Sequence, residues 1–240
     1  MQPLVVLSSE NSRRNLKAVR ASRLLPTDGW VHFGEEKKEQ TIWNTGLIEV
    51  GGDCLFRKLR NLFFRPKITA SMAAVPWRMD VLETVISSLL PQVDRLNVYL
   101  NSWEITPDFL SHPKINAVRS QNELGDLGAT GKFFWCEKIK GIHLTVDDDI
   151  MYPNNYVETI LSGMKRNKKC IVTFHGSILK TKKYREKELL SHFAKNTAED
   201  IPVSVGGTGV MAYCTKDIAF SLDAFQSNLW ADGWVAIQAK

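Results

Sequence analysis

Histidine is scarce in this chain and cysteine is scattered: five of the first and four of the second in 240 residues. Cys54, Cys136, Cys170 and Cys214 lie far apart, with no C-x-x-C pair and no histidine at zinc-like spacing, which excludes a structural zinc site. They read as reduced thiols, three of them in apolar segments where Cys behaves as a small hydrophobe. Long apolar runs are missing too. The N-terminal "PLVVL" is too short for a secretion signal, and no stretch is long enough to span a bilayer. The expectation is therefore a cytoplasmic protein. A strong charge of one sign is also absent, since a formal charge of +5 permits an anionic ligand or membrane surface without demanding either. Hydrophobic content of 44% and charged content of 24% are ordinary, which excludes wholesale disorder.

What is present divides near Pro66. Residues 1–66 read as an appendage of unknown role, with a strand in "PLVVLSS" and an amphipathic helix in "ENSRRNLKAVRASRLL". In "CLFRKLRNLFFRPK", Leu55, Phe56, Leu59, Leu62 and Phe63 sit at helical spacing between basic residues. Two readings stay open: peripheral contact with an anionic membrane through residues 54–67, or a helix docked on the main domain with a solvated basic edge. From Lys67 to Lys240 strand and helix patterns alternate. "KITASMAAV", "RLNVYLN", "HLTV", "KCIVTFHGSI" and "VGGTGVMAY" are strand-like, while "RMDVLETVISSLLPQ", "NYVETILSGMKRN", "KFFWCEKIK" and "GWVAIQAK" are helical. This pattern predicts an α/β fold: a mixed, mainly parallel sheet with flanking helices. Ligands of such sheets bind outside the carboxyl ends of the strands.

One strand ends in three carboxylates. In "GIHLTVDDDIMYP", Asp147, Asp148 and Asp149 follow the apolar run directly. Residues two apart on an extended backbone point the same way, so Asp147 and Asp149 can converge while Asp148 faces away. Two ionised carboxylates repel unless a cation sits between them, and their oxygens suit Mn²⁺ or Mg²⁺. Asn155 with Glu158 makes a plausible capping pair for the next helix, along which Tyr156, Ile160 and Met164 share a face. A solvated acidic turn is the plainer alternative.

"GDLGATGK", Gly125 to Lys132, superficially resembles a nucleotide-binding P-loop, but Asp126 stands in place of the first glycine and Phe133 in place of the hydroxyl residue. An ATPase is excluded. The segment remains a glycine-rich loop in which Lys132 is a candidate partner for phosphate or base, or simply an exposed lysine.

Taken together, "SMAAVPWRMDVLETVISSLLPQVDRLNVYLN", "GKFFWCEK", "TVDDDIMYPNNYVETIL", "IVTFHGSI" and "GTGVMAY" resemble, in the same order, bacterial capsule-type GT-A glycosyltransferases, most closely the heparosan N-acetylglucosaminyltransferases. The resemblance spans Lys67 to about Lys240. It implies a GT-A fold, Rossmann-like and nucleotide-sugar-binding, with Mn²⁺ or Mg²⁺ held by Asp147 and Asp149. It also implies transfer of a sugar from a UDP-sugar to a capsule or lipopolysaccharide glycan. Ala73, Pro76 and Arg78 would line the nucleotide pocket, Asp126 and Lys132 would face the uridine or diphosphate, and Asp147 and Asp148 complete the donor-binding set.

Asp232, between Trp230 and Trp234, is the candidate base or positioning residue, or else the N-cap of "GWVAIQAK". His175 is a second catalytic candidate, with a hydrogen-bonded core histidine as its alternative. The glycines of "VGGTG" suit a backbone that approaches a bulky ligand, or a tight turn. "KTKKYREKELLSHFAKN" reads as a mobile lid or a solvated helix. Expected partners are the nucleotide sugar, the glycan acceptor and a partner glycosyltransferase, with no nucleic acid. The family pattern continues beyond Lys240, so a truncated GT-A-like module that binds nucleotide sugar or a partner synthase without turnover is the alternative function. The setting expected is the cytoplasm, at the inner face of the membrane if residues 54–67 make contact. A phosphohydrolase would need further acidic or histidine ligands at separate strand ends.

Overall fold

The computed structural model describes residues 4–7, 17–18, 65–181, 187–191 and 197–239. Residues 1–21 and 66–240 form one compact unit and 22–65 another. The described residues, Arg65 apart, belong to the first.

The strands in chain order are β1 (Leu4–Val6), β2 (Lys17–Ala18), β3 (Ile68–Ala74), β4 (Arg95–Leu100), β5 (Ile115–Arg119), β6 (Ile142–Asp147) and β7 (Ile150–Met151). They continue with β8 (Ile171–Thr173), β9 (Gly176–Leu179), β10 (Lys187–Ser191), β11 (Ile201–Val203), β12 (Val205–Gly206) and β13 (Val210–Cys214). Eight of them make one sheet in the order β11-β1-β8-β13-β6-β3-β4-β5. Strands β1, β3, β4, β5, β6 and β8 run one way, and β11 and β13 run the other. The fold is α/β, with a mostly parallel mixed sheet.

β1 changes the expected division of the chain. Its three apolar residues are buried, pairing with β8 and β11, so the first 66 residues contribute a strand to the main sheet. The helix expected over "ENSRRNLKAVRASRLL" is not formed at Lys17–Ala18, which pair with β7. The rest of that segment, and residues 54–64 of the basic stretch, lie outside the described residues.

Period-two alternation gives the sheet two faces. Ile68, Ala70, Met72, Leu96, Val98, Leu144 and Val146 join one apolar core. That core is closed by α1 (Met79–Leu89), which buries Leu82, Val85, Ile86 and Leu89 at helical spacing, and by α2 (Tyr156–Arg166), which buries Tyr156, Val157 and Ile160. Pro91, in the 3₁₀ turn Leu90–Gln92, follows the end of α1. Gly163 brings α2 onto Leu7: a Cβ there would lie 2.3 Å from the Leu7 methyls. Asn155 occupies the N-cap of α2 without a side-chain capping bond, so the expected Asn155–Glu158 box is absent. α3 (Ala231–Gln238) packs Ala231 and Val235 on the other side, with Phe133, Met211 and Tyr213. No helix among the described residues is long and apolar enough to cross a membrane.

Three expected elements differ. "KFFWCEKIK" is no α-helix: Gly128–Phe133 is 3₁₀ and turns continue through Lys138. Phe133, Trp135, Cys136 and Ile139 are all buried, and apolar groups on every side suit a wrapped turn better than a helix with one stripe. "KCIVTFHGSI" splits into β8 and β9, and "VGGTGVMAY" into β12 and β13. The Thr173 hydroxyl, donating to the Gly207 carbonyl at 2.9 Å, ties the two breaks together. β9 then joins β10 and β12 in a three-stranded sheet, so residues 187–191 of the Lys-rich stretch are strand.

Candidate functional site

Asp147 is the last residue of β6 and stands in register with Ala73 near the carboxyl end of β3. The three carboxylates have different surroundings. The side chains of Asp147 and Asp149 are 36% and 28% exposed, against 4% for Asp148. Asp148 accepts the Val75 N–H at 3.1 Å and a charge-assisted bond from Arg78 Nη1 at 2.5 Å. A buried carboxylate so held anchors the turn, which sets Asp148 apart from the two part-exposed carboxylates beside it in the expected set. Arg78 spans the turn, its Nη2 lying 3.2 Å from Asp149 Oδ2.

Burial raises the pKa of Asp148 and of Asp149, with Arg78 pulling both back toward ionisation. Arg78 loses some basicity to burial, but Asp148, helped by Asp149 and Asp147, raises its pKa overall. Pro76 opens the 3₁₀ turn Pro76–Arg78, where its fixed φ favours the first helical position.

Lys132 is buried and ion-paired with Asp147 Oδ1, which removes the reading of it as an exposed lysine. Its placement comes from Gly131. A Cβ on Gly131 would lie 2.8 Å from the Tyr99 ring and 3.3 Å from Ala73 Cβ, so only glycine lets this turn press onto the strands beneath. Gly128 has a φ of +49° and abuts the Asn228 carbonyl. Asp126 is spent on the same loop. It accepts the Gly128 N–H at 2.8 Å and the Ser102 hydroxyl at 2.7 Å, so it shapes the loop and is not brought to the carboxylate cluster by any hydrogen bond among the described residues.

The Gly207–Gly209 link precedes β13, whose Val210 pairs with Val146, so the antiparallel strand begins where β6 ends. A Cβ on Gly209 would fall 1.9 Å from Asp147 Oδ2, and one on Gly207 would lie 2.8 Å from His175 Cβ. At both positions the missing side chain makes room for a neighbouring side chain of the protein itself.

Asp232 is not the N-cap of α3, a position held by Trp230. Its Oδ1 accepts both the N–H and the hydroxyl of Thr208, at 2.8 and 2.7 Å, and so fixes the link from the other side. The His175 carbonyl accepts the Gly207 N–H at 2.8 Å. Both catalytic candidates thus hold the link that lies against Asp147, and neither makes a hydrogen bond to the carboxylate turn among the described residues.

Tyr152 was not among the expected site residues. Its hydroxyl accepts the Asp147 N–H at 2.8 Å and donates to the Gly209 carbonyl at 2.6 Å, joining the acidic turn to the glycine link. A tyrosine three residues beyond the last aspartate, just past the two-residue strand β7, is the signal that marks it.

Three carboxylates and two cations leave the cluster one negative charge in excess. Among the described residues no group of three or more His, Cys, Asp or Glu can hold a metal ion. The donor set present, two part-exposed carboxylates, fits a hard divalent cation that takes its remaining ligands from water and phosphate. No protein-family model matches the chain, and no curated protein matches it.

Proposed function

We propose that this chain is a metal-dependent glycosyltransferase of GT-A type, moving a sugar from a UDP-sugar to a capsule or lipopolysaccharide glycan. N-acetylglucosamine is the first donor to test. The observation that carries the reading is the part-exposed pair Asp147 and Asp149 at the carboxyl end of a parallel strand, with Arg78 and Lys132 in the same cluster. Resemblance in "TVDDDIMYPNNYVETIL" and the segments around it adds the substrate class.

Asp147 and Asp149 would hold Mn²⁺ or Mg²⁺, which neutralises charge on the leaving diphosphate when bound. Arg78 and Lys132 are cations that donor phosphates can share with the carboxylates. The Tyr152 bridge fixes the Asp147 backbone, and Gly209 lies against its carboxylate. Asp232, with Oδ1 committed to Thr208, remains the candidate base or positioning residue, and His175 the second. The proposed setting is the cytoplasm, with residues 54–67 as the candidate membrane contact.

One observation favours a second reading, a module that binds nucleotide sugar or a partner synthase without turnover. Each part-exposed carboxylate already has a cation of the protein beside it, Lys132 at Asp147 and Arg78 at Asp149. UDP release from UDP-N-acetylglucosamine, measured with Mn²⁺ or EDTA and with or without a glycan acceptor, separates the two. Acceptor-dependent release in Mn²⁺ supports the transferase, and no release under any condition rejects it.

A further inference from the structure

Two of the cysteines meet at the end of the sheet away from the acidic turn. Cys214 pairs with Ile142, where β6 begins, whereas Asp147 stands where β6 ends. The ladder between β8 and β13 has two pairs, Met211 with Thr173 and Ala212 with Val172. Continued two residues at that register, it sets Cys214 opposite Cys170, on the face that Val172 and Ala212 turn to the core. It stops short of the cysteines, where the Cys214 carbonyl is taken by the Asp217 and Ile218 N–H groups, both at 3.0 Å.

A second observation brings the same two residues together. Cys170 and Cys214 line one recess of about 270 Å³, with Met164, Lys168, Lys169 and Asp217 around them. Both are free thiols. Residues directly opposite on antiparallel strands have Cα atoms about 4.5–5.5 Å apart, inside the range of about 4.4–6.8 Å that a disulfide spans. The Cys170 thiol donates to the Lys168 carbonyl at 3.4 Å, a weak bond that a change of rotamer gives up. Among the described residues no group of three His, Cys, Asp or Glu can hold a metal ion, so the pair is a dithiol and not part of a metal centre.

We propose that Cys170 and Cys214 form a thiol–disulfide exchange site, at which a small disulfide from solution converts them to an internal disulfide that staples β8 to β13. Cys170 is 9% exposed and Cys214 is half-buried, so Cys214 meets the incoming disulfide first. Its thiolate attacks one sulfur, forming a mixed disulfide and expelling one small thiolate, which takes up the proton Cys214 lost. Cys170 then attacks the Cys214 sulfur and expels the second small thiol, which leaves with the Cys170 proton. Two protein thiols and one small disulfide thus become one protein disulfide and two small thiols. Lys168 and Lys169 favour an anionic disulfide over a neutral one. Burial raises the pKa of Cys170, which suits the second step, where the mixed disulfide is already beside it.

Cys136 shows the contrast. It is 5% exposed, its thiol donates to the Phe220 carbonyl at 3.3 Å, and burial pushes its pKa up to about 12. It is the internal control.

The test is incubation of the reduced full chain with oxidised and reduced glutathione in varied ratio, followed by acid quenching, alkylation and peptide mass spectrometry. The expected product is a peptide pair linked through Cys170 and Cys214, cleaved by dithiothreitol, with Cys136 still alkylated. Cys170→Ser should stop the reaction at glutathione on Cys214, and Cys214→Ser should slow loss of the Cys170 thiol at least tenfold. Circular dichroism checks that both variants fold, and the wild-type peptide map decides the matter without them. No linked pair at any ratio, a stable glutathione adduct in the wild type, or linkage of either cysteine to Cys54 or Cys136 would overturn the proposal. Exchange needs neither metal nor nucleotide, so its failure leaves the transferase reading standing, and failure of that reading leaves the thiol pair untouched.

Discussion

On one face of the central sheet Ile68, Ala70, Met72, Leu144 and Val146 pack against α1 and α2. From the same strands, the other face carries Thr69, Ser71, Asn97, His143 and Thr145, all buried and all polar. The difference is one residue of register. It shows how a single strand, β6, does two jobs: Leu144 and Val146 hold it down, while His143, Thr145 and Asp147 form a polar row that ends in the acidic turn. The apolar face supplies non-directional burial. The polar face supplies directional groups whose positions are set by hydrogen bonds, such as His143 between Ser71 at 2.9 Å and Tyr213 at 2.6 Å.

The sharpest way to break the contrast is to hollow the apolar face. Leu144→Ala removes a fully buried side chain and should cost about 2–5 kcal/mol in urea unfolding, with the cavity it leaves adding to the lost burial. A loss below about 1 kcal/mol would mean that this face is not the main source of stability.

Acid should act through the polar face instead. Burial pushes the pKa of His143 down to about 3 from its ordinary 6.5, so between those values the unfolded chain binds a proton that the folded chain refuses. This contribution is intact above about pH 6.5 and shrinks as pH falls toward 3, by about 1.4 kcal/mol per unit. Melting followed from pH 7 to 4 should show the decline, and His143→Asn should flatten its slope. An unchanged slope in that variant would place the acid sensitivity elsewhere.

A smaller effect is expected where the polar face meets the acidic turn. Tyr152→Phe keeps the ring beside Tyr156, at 4.7 Å between centroids, and deletes the bridge from Asp147 to Gly209. It should lower stability by about 1–3 kcal/mol in the same assay, the cost of leaving buried backbone groups unpaired. A neutral outcome would show that the two segments are held together by packing alone.

Much of this architecture was readable from residue order, for physical reasons. β3, β4, β6, α1 and α2 have strong periods of 2.0 or 3.6, and each buries the residues those periods select. The segment Gly128–Lys138 misled because its aromatic residues are apolar on every side, which carries no period. β1 has three residues, and nothing local in "LVV" reveals partners as distant as Ile171–Thr173 and Ile201–Val203.

At the site, the carboxylates themselves were readable, but their division of labour was not. Asp148 is an anchor because Arg78, 70 positions earlier, reaches it. Gly209 is needed because Asp147 occupies the space where its side chain would be. Both are facts of tertiary packing.

The central claim is that Asp147 and Asp149 form, with a divalent ion, a receptor for a nucleotide diphosphate. Calorimetric titration of UDP into the full chain, in Mn²⁺ and in EDTA, with wild type beside Asp149→Ala, tests it most directly. The account predicts binding in Mn²⁺ that is lost in EDTA and weakened at least tenfold in the folded variant. Binding indifferent to both metal and Asp149, or no binding by the folded wild type in Mn²⁺, would contradict it.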